Sequence, residues 1–300
     1  MRFSRRRIGA FARVLGAEAG EYFDPVSAGY DGYRDVIAPA VFAVVPGQLQ
    51  QNDLLATIPA GSVPLLHGVH ITMSQPIVAG VQLAAQTEVT QRRSNRPISA
   101  LTTQTTIFDD AGQQLVIVTQ KLALVSENQP QPKRDSATPP KGSAQNDEGG
   151  RGGPNRVILR HFVPDSESVK DGPYPVILRA VAGSRQGEEL RELQLELSQR
   201  ELAAYVTVSD DGNPVHTDAS YAQNFGYQAP VAQGMLMLGK AISQIEAELG
   251  HYVMPKQIQA RFIAPVEVPP AGTSIIVQQH QNELTFYHQN QRVARATYTL

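Results

Sequence analysis

The sequence contains no cysteine. That excludes a disulfide frame, a thiolate nucleophile and any zinc site built on cysteine, and it leaves the compartment open. Net charge is nearly missing as well: 26 Lys and Arg against 28 Asp and Glu leave −2. With no field of one sign, neither nucleic acid nor an anionic membrane is expected as a partner. Long apolar runs are absent, and the longest falls well short of the roughly 20 residues that a membrane span needs. The opening Met1-Arg2-Phe3-Ser4-Arg5-Arg6-Arg7 leads into an amphipathic helix without the apolar segment of a secretory leader, so a cytoplasmic protein is expected. Neither a glycine-rich phosphate loop nor a Gly-x-Ser-x-Gly nucleophile elbow occurs.

What is present is an ordinary globular composition, 41% hydrophobic and 18% charged over 300 residues, long enough for two cores. The most informative run is Ser209-Asp-Asp-Gly-Asn-Pro-Val-His-Thr-Asp218. It sets Asp211 and His216 on either side of Gly212-Asn213-Pro214. Pro214 lacks an N–H and disfavours helix at Asn213, while Gly212 is free to take positive φ, so the segment reads as a tight loop. Such a loop aims a carboxylate and an imidazole at one point, which makes an acid/base pair for moving protons on a single water.

Upstream, Ser198-Gln-Arg-Glu201 is a capping box that opens a short helix from Glu201 to about Val208. Downstream, Val231, Met235, Leu238, Ile242, Ile245 and Leu249 recur every three or four residues, and Gly250 stops the pattern. This long helix is expected to lie buried against a sheet. Its first turn, at Gln233 and Gly234, presents free backbone N–H groups and the positive dipole end.

These residues resemble the MaoC-like, R-specific enoyl-CoA hydratases, whose pattern is Ser-Gly-Asp-x-Asn-Pro-x-His-x-Asp followed by His-Gly-Met. The counterparts are Ser209 to Asp218 and then Gln233-Gly234-Met235, with Asp210 in place of the first glycine and Gln233 in place of the histidine. Neither departure falls on a proton-transfer residue of the family, although Asp210 adds a second negative charge beside Asp211. The resemblance implies reversible hydration of a 2-enoyl thioester, most simply of coenzyme A, to a 3-hydroxyacyl product of R configuration. It assigns Asp211 and His216 to catalysis, the Gly234 N–H to the oxyanion hole, and Asn213 and Ser209 to support. No metal or redox cofactor is implied, coenzyme A entering as part of the substrate. Two alternatives remain: the same chemistry on an acyl-carrier-protein thioester, and a non-catalytic acyl-thioester binding protein in which Asp210 and Gln233 mark lost activity.

The first thirty-odd residues repeat this central stretch at a constant offset of 194. Ser4 answers Ser198, Ile8 answers Leu202, Phe11 answers Tyr205, and Gly16 to Asp24 lies over Asp210 to Asp218. In this copy Ala17 stands for the acid, Ala19 for Asn213 and Tyr22 for His216, so the fold signal persists without the chemistry. Strand-like stretches follow in both halves: Val69 to Ser74, Gln82 to Arg92, Ala100 to Asp109 and Gln114 to Val125 in the first. Leu190 to Leu197, Gln257 to Ile263, Thr273 to His280, Glu283 to His288 and Arg292 to Leu300 form the second set. The first half's equivalent of the long helix, Ala40 to Gln50, is interrupted by Pro46-Gly47 and is expected to be short.

The expected class is therefore α+β, two hot-dog domains in tandem, each a long helix wrapped by an antiparallel sheet. Residues 1–125 form a degenerate domain, 126–155 a Pro-, Gly- and Ser-rich linker, and 156–300 the domain with the active site, including strand-like pieces at 157–163 and 174–181. The halves are expected to pair as a pseudo-dimer, which leaves room for homo-oligomers of such chains. His67-Gly-Val-His70, with no nearby acid, reads as surface or packing residues in preference to metal ligands. Arg5, Arg6 and Arg7 read as the solvated face of the first helix. Arg92, Arg93 and Arg96 sit at a hairpin and are candidates for the phosphates of coenzyme A.

Overall fold

The computed structural model describes residues 1–50, 58, 61–95, 98–126, 179–180 and 190–300. The expected linker beyond Ser126, the piece at 157–163 and most of that at 174–181 lie outside these residues.

The internal repeat reappears as structure with its register unbroken. Helix α1, Arg5–Leu15, and helix α4, Gln199–Ser209, begin and end 194 residues apart. Each is capped by a serine, Ser4 accepting from the Arg7 N–H and Ser198 from the Glu201 N–H. Each ends on a left-handed residue, Gly16 at φ 73° and Asp210 at φ 60°. A 3₁₀ turn follows at Gly20–Tyr22 and at Pro214–His216, then short helices α2, Pro25–Tyr30, and α5, Ala219–Gln223. Asp24 and Asp218 cap these helices in the same way, through backbone N–H groups two and three residues on. The counterparts Phe11 and Tyr205 are both fully buried and pack ring against ring at 5.5 Å.

In the first half, the long-helix position holds a 3₁₀ run, Ala40–Val44, and a four-residue helix α3, Val45–Gln48, all but Gln48 buried. Pro46 lies in the first turn of α3, where its missing N–H costs nothing, so it starts this helix instead of breaking it. In the second half, α6, Gly234–Leu249, is continuous and buries Met235 to Ala241 without interruption. The buried face is wider than the expected stripe. It includes Lys240, which pairs with Glu201 of the capping box, while Leu249 at the far end is exposed. A Cβ on Gly239 would lie 2.7 Å from Leu15 and 2.9 Å from Val41, so glycine allows α6 to approach the first half closely.

The described strands form one antiparallel sheet. The first half supplies β1 (Ser62–Met73), β2 (Ala84–Asn95), β3 (Ile98–Phe108) and β4 (Gln114–Ser126). The second supplies β5 (Arg179–Ala180), β6 (Leu190–Leu197), β7 (Gln257–Phe262), β8 (Thr273–His280), β9 (Glu283–His288) and β10 (Gln291–Thr299). Their order is β2-β3-β4-β1-β7-β10-β9-β8-β6-β5. The two halves thus meet edge to edge where β1 pairs with β7, Gly68 to Thr72 against Arg261 to Gln257. This is the double hot-dog arrangement. Strand β1 begins at Ser62, ahead of the expected Val69, and a bulge at His67 shifts its register against β4 between Leu66 and Gly68.

Because β7 would be an open edge without β1, the second half is expected not to stand alone. Residues 185–300 expressed as a fragment should self-associate or precipitate, as read by analytical ultracentrifugation. A soluble, cooperatively melting monomer would contradict the role given to the β1–β7 seam.

Candidate active site

The loop after α4 is assembled from its own polar side chains. The Ser209 hydroxyl accepts from the Asp211 N–H at 3.2 Å, and the Asp211 carboxylate accepts from the Asn213 N–H at 3.4 Å. Asn213 then caps the 3₁₀ turn, its Oδ1 accepting from the Val215 N–H at 3.2 Å. Its Nδ2 donates to the Pro64 carbonyl of β1 at 3.0 Å, so the loop is fastened to the other half of the molecule. Gly212, free by its type to take positive φ, does not do so. The left-handed residue is Asp210, at the place where the family pattern has glycine. The Asp210 carboxylate turns to Arg7 on α1, which also lies over the Phe3 ring at 5.1 Å. Arg7 is thus a link between the halves, and Arg5 holds Asp35 at 2.7 Å, so this run is more than a solvated face.

His216 is 8% exposed, and its Nδ1 lies 2.6 Å from the Val231 carbonyl. A carbonyl cannot donate, so Nδ1 carries the hydrogen and Nε2 keeps its lone pair in the neutral ring. Nε2 faces the Asp211 carboxylate at 3.6 Å, beyond direct hydrogen bonding. The gap suits one bridging water.

Both side chains line a cleft of about 640 Å³. One wall is β1 from Ser62 to His67 with Gln120, Leu122, Ala123 and Val125 of β4, and the opposite wall runs from Phe262 to Val266. The start of α6 closes it with Gln233, Gly234 and Met235. The Gly234 amide belongs to the first turn of α6, where N–H groups have no helical acceptor. A Cβ there would lie 2.7 Å from the Phe262 ring, so only glycine fits. Gln233, in place of the family histidine, is 2% exposed and donates to the Leu202 carbonyl at 3.2 Å, bracing α6 against α4. Every expected site residue, Ser209, Asp211, Asn213, His216 and Gly234, therefore converges on this loop and helix end. The sequence left no sign of the carbonyls of Pro64 and Val231, because a backbone acceptor has no residue signature; the Phe262 contact arises from a distant strand.

The remaining candidates fall elsewhere. Among the described residues no cluster of three or more metal-ligating side chains exists; His70 is exposed on β1, and His67 stands at the cleft. Arg92 and Arg93 are exposed on β2, at the far edge of the strand order and outside the cleft lining, while Arg96 lies outside the described residues. Among the described residues no helix is long and apolar enough to cross a membrane.

The first half's copy of the loop is filled. Tyr22, where the repeat places His216, is fully buried and donates to Glu246 of α6, its hydroxyl 2.7 Å from both carboxylate oxygens. The Tyr252 ring packs against it at 5.5 Å, beside Ala17 and Ala19. Burial raises the Glu246 carboxyl from its ordinary 4.5 to about 7, against the opposing hydrogen bonds from Tyr22 and the Val253 N–H and with a small push from Glu21.

Comparisons with known proteins agree with this layout. Residues 181–297 match the family model described as MaoC like domain, and residues 2–118 match that described as FAS1-like, dehydratase domain region. A UPF0336 protein of Clavibacter michiganensis is 30% identical over 123 residues, 40% of this chain and 83% of that protein. A solved MaoC-like dehydratase superposes with a TM-score of 0.74 at 20% identity, covering 100% of this chain and 94% of that one. A conserved hypothetical protein from Mycobacterium tuberculosis, described as having a double hotdog fold, gives 0.60 at 15% identity, covering 99% and 92%.

The raised Glu246 value has a direct consequence for stability. The folded state prefers the neutral acid, so its contribution is fully present below about pH 4.5 and is lost as pH rises through about 7. Across that window the loss is on the order of 3 kcal/mol. Glu246→Gln should flatten this slope in denaturant titrations run from pH 4.5 to 8. An unchanged slope would place the titration elsewhere.

Proposed function

The chain belongs with the UPF0336 proteins and carries a MaoC-like dehydratase domain in its second half, and from that premise we propose that it reversibly hydrates a 2-enoyl thioester. The observation that carries the reading is the pair of His216 Nε2 and Asp211, 3.6 Å apart in the cleft, beside the free amide of Gly234. The substrate lies with its thioester oxygen at the Gly234 N–H and C3 of the double bond above the pair. His216 Nε2 removes a proton from the water that Asp211 orients, and the water oxygen bonds to C3. The C2–C3 π electrons move toward the thioester, whose oxygen gains charge that the Gly234 N–H and the helix dipole stabilise. The pair then returns a proton to C2, giving the 3-hydroxyacyl thioester, in the R configuration that the family resemblance implies. Dehydration is the same path reversed. No step needs a metal or a redox cofactor, and coenzyme A enters only as the thioester's carrier.

The non-catalytic alternative rested on Asp210 and Gln233. Asp210 is turned away toward Arg7, and Gln233 is a buried brace, so neither stands between the carboxylate and the imidazole. The chemistry is the same whether coenzyme A or an acyl-carrier protein delivers the thioester.

Asp211→Asn and His216→Ala should each lower kcat by about 10²–10⁴ on a 2-enoyl thioester, as expected for a general acid–base group. Since both act on one water, the double variant should fall little further than the worse single. Tyr22→Phe should leave kcat nearly intact. Hydration is followed by the loss of enoyl absorbance, with each variant first shown to melt like the parent. Full activity of His216→Ala, or its loss in Tyr22→Phe, would reverse the assignment of the two halves.

A further inference from the structure

The cleft starts where the seam between the halves ends. Strands β1 and β7 are paired from Gly68 to Thr72, and past Gly68 they part. The diverging segments, Ser62 to His67 and Phe262 to Val266, are the two walls of the cleft. At the fork, Gly68 has Lys121 of β4 as its partner on one side and Arg261 of β7 on the other. Residues directly opposite one another share a face, so Lys121 and Arg261 flank a position with no side chain, about 10 Å apart across two strand spacings. Their neighbours Gln120, Leu122, Ala260 and Phe262 are buried, which leaves both cations exposed on the outer face. The Lys121 stem lies over the gap: a Cβ on Gly68 would be 3.9 Å from its Cβ and 4.0 Å from its Cδ.

His67, the bulged residue, lies between this face and the cleft. Its imidazole is held below the ordinary value by burial, then by Arg261 and Lys121, so both cations act on the cleft's edge. Other basic residues near the halves' contacts have acids: Arg5 has Asp35, Arg7 has Asp210, Lys240 has Glu201 and Arg295 has Glu283. Among the described residues Lys121 and Arg261 have no carboxylate at ion-pair distance. Inside the cleft the charged lining residues are Asp210 and Asp211, with no lysine or arginine among the described ones. Among the described residues an anionic ligand therefore finds its lysine and arginine counter-charge at the rim and not in the lining.

We propose that Lys121 and Arg261, with His67 between them, form a phosphate-binding subsite at the cleft mouth that holds the carrier of the thioester. The proposal rests on the thioester reading above. Arg261 offers a planar fork suited to two phosphate oxygens, and Lys121 a mobile point charge. The acyl group and thioester lie inside, at Gly234 and the Asp211–His216 pair, and the phosphorylated end of the arm stays outside at the fork. Arg92 and Arg93, the earlier candidates for this role, have no part in it.

The test compares binding of coenzyme A, 4′-phosphopantetheine and pantetheine by calorimetry, to the parent and to a Lys121→Ala/Arg261→Ala double variant. Both substitutions are on the exposed face, and matching melts establish the fold. The parent should bind coenzyme A more tightly than pantetheine, and the double variant should lose about tenfold or more of the coenzyme A affinity with pantetheine unaffected. Losing coenzyme A alone assigns the subsite to the nucleotide phosphates, while losing 4′-phosphopantetheine equally assigns it to the phosphate that a carrier protein also presents. A double variant that binds coenzyme A like the parent overturns the proposal, as does a parent that does not prefer coenzyme A to pantetheine. Because no turnover is needed, a parent that binds in this pattern yet hydrates no thioester would refute the hydratase reading and leave the subsite standing.

Discussion

Five residue pairs between β1 and β7 determine most of what is distinctive in this molecule. The seam satisfies the edge that each half-sheet would otherwise expose, and so makes ten strands continuous. Its shortness matters equally. Strand β1 stays paired with β4 all the way from Met73 back to Ser62, whereas β7 ends at Phe262 and its chain turns away. One wall of the cleft therefore comes from each half. Asn213 reaches across to the Pro64 carbonyl on the β1 wall, so the loop that bears Asp211 is set by the half that lacks the chemistry.

The repeat was legible to the residue. Ser4 and Ser198, Gly16 and Asp210, Asp24 and Asp218 fixed an offset that the helices, turns and caps all obey, because caps and left-handed stops are local chemistry. Strands β6, β8 and β9 were readable at both ends for a similar reason, namely alternation bounded by turns. Local signals failed where a residue's partner is distant. Nothing in Arg5-Arg6-Arg7 marks Arg7 for Asp210, 203 positions away. Nor does anything around Gly68 mark Lys121 and Arg261 as its flanking partners, since both come from distant strands. Glycine's freedom at Gly212 goes unused, and the positive φ falls at the helix end, on Asp210.

The two copies of the loop show which parts of the pattern build the backbone and which supply reactivity. Asp24 caps its helix as Asp218 does, and both copies keep the 3₁₀ turn, although Ala17 and Tyr22 stand where Asp211 and His216 do. The loop's shape thus does not depend on having Asp211 and His216. What differs is what meets the loop. In the first half Tyr22 meets a carboxylate, with the ring of Tyr252 beside it. Burying Glu246 there favours its neutral form, a cost at neutral pH that the surrounding packing has to offset.

In the second half the contact that sets the chemistry is the one behind the histidine. With Nδ1 committed to the Val231 carbonyl at 2.6 Å, the ring presents only an acceptor to the cleft. Ionised Asp211 also presents only acceptors. When the imidazole is neutral and the carboxylate ionised, the two face each other as acceptors 3.6 Å apart, an arrangement that a donor of two hydrogens satisfies. Water is the smallest such donor. An alcohol, with one hydrogen, satisfies Asp211 or His216 but not both. On the hydratase reading proposed above, the same count favours water over an alcohol as the nucleophile, because the Val231 carbonyl fixes where His216 presents its lone pair.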